Sequence, residues 1–247
     1  MSAFTAGGAE NEKRMSLVGH LTELRNRIFI SAIAIAVFSV FGFWVSDRVL
    51  GWLSHYYQNA LGDPTAKTSV FGPLEGIGIK LKIASYVGLF GSSPVWLWQA
   101  WRFVTPGLKA KEKRYAIPFL LSSVGLFLLG GAVGIITLPA GLKFLVQISG
   151  KNLNLIYGTK DMLQFVTIVV LAFGFSFLFP VVLVFLELVN LVTPKQLLKG
   201  WRHAIVVIFV IAAVITPSQD PFTLFGMAGP MVLFYFGAIA IGRLAKK

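Results

Sequence analysis

Few residues in this chain could do chemistry. Ten Asp and Glu and three His stand against 22 Lys and Arg, and cysteine is absent. Thiol catalysis, disulfides and cysteine-ligated metals are thereby excluded. His20, His55 and His203 occur singly, without a second histidine or a carboxylate cluster at ligand spacing, so no metal or other cofactor is expected. Gly91-Ser92-Ser93 is the nearest approach to a nucleophile motif, but no histidine lies within an apolar run to serve as its base, and the chain does not read as an enzyme. There is no glycine-rich phosphate loop. Four of the ten carboxylates stand out: Glu23, ahead of the first apolar run; Glu112, among Lys109, Lys111, Lys113 and Arg114; Glu187, near the end of a long apolar run; and Asp220, in a short polar turn.

A carboxylate at a membrane surface can accept the planar donor fork of an arginine in bidentate fashion, which the point charge of lysine cannot copy. That is the chemistry open to Glu23 and Glu112. Each also has a plainer role. Glu112 can balance the cations beside it, since exposed ion pairs are common and weak. Glu23 can pair with Arg27 one helical turn on. Asp220 can form a turn with Pro221. Glu187, within about one turn of its run's end, is expected to snorkel towards Lys195 or Arg202 rather than act as an intramembrane acid.

The elements that carry these residues are apolar runs. The chain is 56% hydrophobic and 13% charged, with a mean hydropathy of +0.76, and its charges fall between long uncharged stretches. That is the pattern of a membrane protein. Apolar runs over residues 28–45, 83–101, 115–138, 162–191, 204–215 and 223–242 predict an all-α membrane protein with six transmembrane helices. Residues 46–78 read as a polar loop, and Lys80 and Lys82 as snorkelling side chains at the outer end of the second run. Pro94, Pro180 and Pro230 each free a carbonyl four residues earlier, so kinked helices are expected. The Gly130/Gly134 spacing suits close helix packing. The fifth run would rise about 18 Å, and the fifth and sixth spans are expected to form a short, shallow pair. Residues 1–14 read as a disordered tail before a single domain over 15–247.

Charge sets orientation. Fifteen of the 22 Lys and Arg fall in the segments that are cytoplasmic if the N-terminus is inside, so both termini are expected in the cytoplasm of an inner-membrane, multi-pass protein. The net charge of +12 is thereby topological, and without a nucleic-acid-binding motif no nucleic acid is expected.

Four segments now carry a resemblance: His20-Leu21-Thr22-Glu23-Leu24-Arg25-Asn26-Arg27; Pro94-Val95-Trp96-Leu97-Trp98-Gln99-Ala100-Trp101-Arg102-Phe103-Val104-Thr105-Pro106-Gly107-Leu108, continuing to Lys111-Glu112-Lys113-Arg114; Phe173-Gly174-Phe175-Ser176-Phe177-Leu178-Phe179-Pro180; and Thr216-Pro217-Ser218-Gln219-Asp220. In order and spacing the chain from Met15 onward resembles the TatC family of the twin-arginine protein export system. The resemblance implies a receptor for paired-arginine signal peptides on folded cargo, powered by the proton-motive force, likewise oligomeric and working with single-span TatA- and TatB-type partners. It implies an arginine-pair site at Glu23 and Glu112 and candidate binding residues Arg25, Phe103, Pro106 and Leu108; because Arg27 can compete for Glu23, Glu112 is expected to be the principal anchor. Phe103 and Leu108 would form an apolar platform, and Trp96, Trp98 and Trp101 an interfacial belt. Asp220 would be a structural or translocation-linked acid. Where many members have an intramembrane Glu this chain has Leu178, which Glu187, nine residues on, cannot replace in phase. The alternative is a small secondary transporter, against which the lack of internal repeats and of central membrane charges counts.

Overall fold

The computed structural model describes residues 17–61, 69–70, 72–104, 116–149, 158–216 and 220–245. These form nine helices: α1 (Leu17–Leu61), α2 (Pro73–Gly91), α3 (Ser93–Val104), α4 (Ala116–Ser149), α5 (Thr159–Ser176), α6 (Phe179–Leu188), α7 (Pro194–Lys199), α8 (Trp201–Ile215) and α9 (Pro221–Ala245). The one β contact among the described residues is a parallel bridge between Ser69 and Gly158. Four stretches, Gly19–Asn59, Ala116–Ile148, Thr159–Leu188 and Pro221–Arg243, are long and apolar enough to cross a membrane, and Trp201–Ile215 is a shorter apolar helix.

The first helix differs most from expectation. It does not stop near residue 45 but continues for 45 residues, about 67 Å, through what reads in sequence as a polar loop. Val49, Leu50, Leu53 and Tyr57 recur on one face, and Leu53 and Tyr57 are buried against Ile79, Ile83, Leu142, Met162 and Leu163. A second apolar cluster thus draws α1 beyond the hydrocarbon length. The hydroxyl of Ser46 donates to the Phe43 carbonyl at 2.6 Å and stays within the helix.

Two expected spans are each broken in two. Pro94 has no amide to give, and α2 ends two residues after Leu89. There the Ser92 amide turns back to the Gly88 carbonyl at 2.9 Å, and the Trp96 indole donates to the Leu89 carbonyl at 3.0 Å. Pro180 acts likewise between α5 and α6, where the Leu178 amide makes a tight bond to the Phe175 carbonyl at 3.0 Å. Pro230, in contrast, lies inside an unbroken α9. The expected fifth span corresponds to α8, a short apolar helix of 15 residues. The sixth, expected to be short too, has 25 residues in α9: it starts two residues before its apolar run, behind Asp220, and runs three residues past the run's end.

Glycines let the helices touch. A Cβ on Gly88 of α2 would lie 2.1 Å from Ser39 Oγ and 2.8 Å from the Ile35 carbonyl of α1, and one on Gly42 would lie 2.7 Å from the Ala84 carbonyl. On α4, a Cβ at Gly130 would lie 2.6 Å from the Phe173 carbonyl and one at Gly134 3.2 Å from Phe173 Cβ, so their expected packing role is met against α5. The main core joins Leu138, Val169, Phe173, Phe177, Met227 and Met231 from α4, α5, α9 and the α5–α6 break.

Gly88→Ala is expected to force α1 and α2 apart and to cost about 1–3 kcal/mol, read as a lowered melting temperature of the purified protein in detergent. Gly51→Ala, inside α1 where a Cβ meets nothing within 4 Å, is expected to raise melting slightly, by up to about 1 kcal/mol of helix propensity.

Candidate functional site

The start of α1 and the end of α3 meet at one end of the bundle. The i,i+4 spacing puts Glu23 and Arg27 on the same face of α1. Arg27 Nε donates to Glu23 Oε1 at 2.9 Å, and Arg27 Nη2 donates to the same oxygen. Arg27 Nη1 reaches across to α3 and donates to Gln99 Oε1 at 3.2 Å. The two charged side chains are only 17% and 14% exposed, for Glu23 and Arg27 respectively. Glu23 Oε2 is shielded from solvent and has no hydrogen-bond partner among the described residues. One turn before Glu23, the His20 ring stacks on Phe103 of α3, with centroids 4.3 Å apart and planes 17° from parallel. The result is a carboxylate with one oxygen engaged and the other buried without a partner among the described residues, beside an aromatic plate.

Of the residues singled out in the sequence, the structure brings Glu23 and Phe103 to this end, with His20 and Arg27 beside them. Arg25 is exposed and falls on another face of α1. Glu112, Pro106 and Leu108 lie outside the described residues. Gln99 went unnoticed as a site residue, although it is a lone uncharged polar side chain in an aromatic run and is buried. Two of the tryptophans, both half-buried, also pack within the protein. Trp101 stacks on Phe119 and meets Phe185 edge-on, while its indole donates to Ser123 Oγ at 3.1 Å. Trp96 packs edge-on against Phe127. Aromatic partners on α4 and α6 draw both rings into the protein and fix α3 against the bundle.

Glu187 does not snorkel. It is 0% exposed, and its carboxylate fills the space over Gly242 of α9, where an added Cβ would lie 2.0 Å from Oε2. Lys195 and Arg202 are both exposed, and the Arg202 guanidinium lies over the Trp201 ring instead. Close packing of α6 on α9 holds the acid inside. Leu178 sits at the break before α6.

Asp220 is also 0% exposed, and its role in the fold is plain. Its Oδ1 accepts the Thr223 amide at 2.8 Å, its Oδ2 accepts the Thr223 hydroxyl, and its backbone carbonyl accepts the Leu224 amide at 3.1 Å. It is the N-cap of α9, with Pro221 in the first helical position. In the half of the bundle away from Glu23, an apolar cavity of about 630 Å³ opens between α1, α2, α4 and α5, lined by Leu53, Ile83, Phe90, Leu128, Val166 and Val170. Its lining suits lipid tails or an apolar side-chain stripe and offers nothing to a charged solute.

These features define an all-helical membrane protein with several apolar helices, a polar and aromatic cluster where α1 meets α3, and no catalytic constellation among the described residues. The model of the family described as "Sec-independent protein translocase protein (TatC)" matches residues 19–230. The TatC of Aquifex aeolicus is 39% identical over 94% of this chain and 97% of its own length. That of Frankia casuarinae is 37% identical, covering 94% of this chain and 67% of its own. A crystal structure of the twin arginine translocase receptor TatC superposes with a TM-score of 0.74 at 37% identity, over 92% of this chain and all of that one. The chain belongs to the TatC family: it is a core component of the Sec-independent protein translocase, a transport protein and not an enzyme. Family membership sets aside the small-solute transporter.

Removing the α9 cap tests the assignment of Asp220. Asp220→Ala is expected to cost about 1–2 kcal/mol, measured by thermal denaturation in detergent. Asp220→Asn, which keeps an oxygen for the Thr223 amide, should fall between the alanine variant and the parent.

Proposed function

We propose that this protein is the receptor of the twin-arginine translocase that binds paired-arginine signal peptides on folded cargo, using Glu23 and Glu112 as carboxylate acceptors. The observation that carries this reading is the half-occupied Glu23 carboxylate: it is shielded, keeps Oε2 unpartnered among the described residues, and stands one turn from the His20–Phe103 stack. A second guanidinium arriving there meets an acceptor that has already lost most of its water, where a charged hydrogen bond is stronger than at an open surface. Glu112 is the principal anchor and Glu23 the support, because Arg27 already draws on Glu23. Pro106 and Leu108 extend the apolar platform that Phe103 begins, and Arg25 contributes to the local field.

The protein lies in the cytoplasmic membrane with six spans and both termini in the cytoplasm. Support comes from the four long apolar helices and the short one, with the α2–α3 pair as the sixth crossing, and from the bias of Lys and Arg towards the segments that would face inward. TatA- and TatB-type single-span proteins are its partners in an oligomeric assembly driven by the proton-motive force.

Crosslinking of an Arg-Arg signal peptide to the protein in membranes, set against its Lys-Lys counterpart, tests the reading. Arg-Arg is expected to crosslink and Lys-Lys not. Glu112→Gln should abolish the crosslink and Glu23→Gln weaken it by about tenfold, the worth of a lost charged hydrogen bond. Equal crosslinking of both peptides, unchanged in Glu112→Gln, would overturn the site.

A further inference from the structure

The contact between Arg27 and Glu23 is more than a helical ion pair, because Gln99 takes part in it. Arg27 spends Nε and Nη2 on one carboxylate oxygen and Nη1 on the Gln99 side chain of another helix. Within the site it holds the position that a ligand arginine needs. We propose that Arg27 is a resident competitor for Glu23, and that Gln99 is the acceptor that keeps Arg27 when a signal-peptide arginine takes its place. This rests on the reading of this surface as a paired-arginine site.

The physical case is one of exchange. A guanidinium and a carboxylate that are both mostly buried cannot be separated cheaply, because each is left charged and undersolvated. Glu23 loses nothing if a second guanidinium arrives at Oε2 and then takes over Oε1. Arg27 would be stranded, but for the hydrogen bond it already makes to Gln99 Oε1 at 3.2 Å. That carbonyl oxygen keeps a donor satisfied without holding Arg27 as firmly as an anion would. The exchange is thus close to balanced for an arginine ligand. A lysine lacks the planar fork; it can approach Oε2 but cannot supply the two donors that Arg27 directs at Oε1. Part of the preference for arginine is therefore imposed by the resident side chain, and the peptide must outcompete an arginine to bind.

Gln99 is then a positioning residue whose substitutions have opposite signs. Gln99→Glu offers Arg27 a rival anion, releases Glu23 and should tighten Arg-Arg peptide crosslinking by about tenfold, the worth of one charged hydrogen bond. Gln99→Leu, of similar size, removes the resting acceptor and should weaken crosslinking by a similar factor. Arg27→Gln should raise Lys-Lys crosslinking more than Arg-Arg, so the ratio between the two falls. If Arg27→Gln does not fold, the two Gln99 variants decide alone. A merely structural Gln99 would shift both in the same direction or neither, and that result, with the parent still preferring Arg-Arg, overturns the resident-arginine proposal while leaving the receptor reading intact. A parent that does not distinguish the two peptides overturns both.

Discussion

At Gly88 the backbone of α2 comes so near α1 that a single methyl group would sit 2.1 Å from Ser39 Oγ. Hydrocarbon gives helices no hydrophobic reason to associate, because lipid tails are as apolar as the side chains they would displace. What remains is dispersion at short range, and that needs small residues where backbones cross. Gly42 and Gly88 hold α1 to α2, and Gly130 and Gly134 hold α4 to α5. The remaining features depend on these crossings, since they decide which ends of which helices meet. Long-range ties then complete the frame: the Tyr56 hydroxyl donates to the Ile135 carbonyl between α1 and α4, and the Tyr235 hydroxyl donates to the Leu197 carbonyl at 2.7 Å between α9 and α7.

Within that frame the two proline-directed breaks place the site. A straight helix from Pro73 to Val104 would continue the line of α2. The interruption at Ser92, where the Trp96 indole donates to the Leu89 carbonyl, separates α3 from α2. Trp101, lodged between Phe119 and Phe185, then fixes the register that puts Gln99 opposite Arg27 and Phe103 against His20. Most polar groups on this end are engaged, as a low-dielectric setting requires, and Glu23 Oε2 is the exception. Asp220 follows the same rule at the other end of the chain's last hairpin, where capping accounts for its burial.

Much of this was legible in the sequence. Long apolar runs identify helices directly, and the prolines at 94 and 180 marked where two of them break. The i,i+4 spacing of Glu23 and Arg27 announced their pairing. The extension of α1 to Leu61 was hidden because its apolar residues 49, 50, 53 and 57 are diluted by Ser, His, Tyr and Gln, so hydropathy averaged over a window misses a face that periodicity would reveal. The early start of α9 was hidden because a cap, not an apolar residue, begins it. The burial of Glu187 is not legible because distance to the helix end says nothing about which face a side chain occupies; only the packing of α6 on α9 shows that it points inward. Gln99 is illegible for a related reason: its partner is Arg27, 72 positions away along the chain.

The acid at 187 and the missing side chain at 242 fit together as a lock and its keyhole. Gly242 has no Cβ, and the space that a methyl group would take is held by the Glu187 carboxylate, 2.0 Å from where that carbon would be. Evolution is therefore constrained in the order of its steps. A lineage can trade Glu187 for a smaller residue first and fill position 242 afterwards, but the reverse order passes through an intermediate with two groups in one place. Positions 187 and 242 are expected to drift as a pair, and a history of this lineage should record the acid's loss before the glycine's.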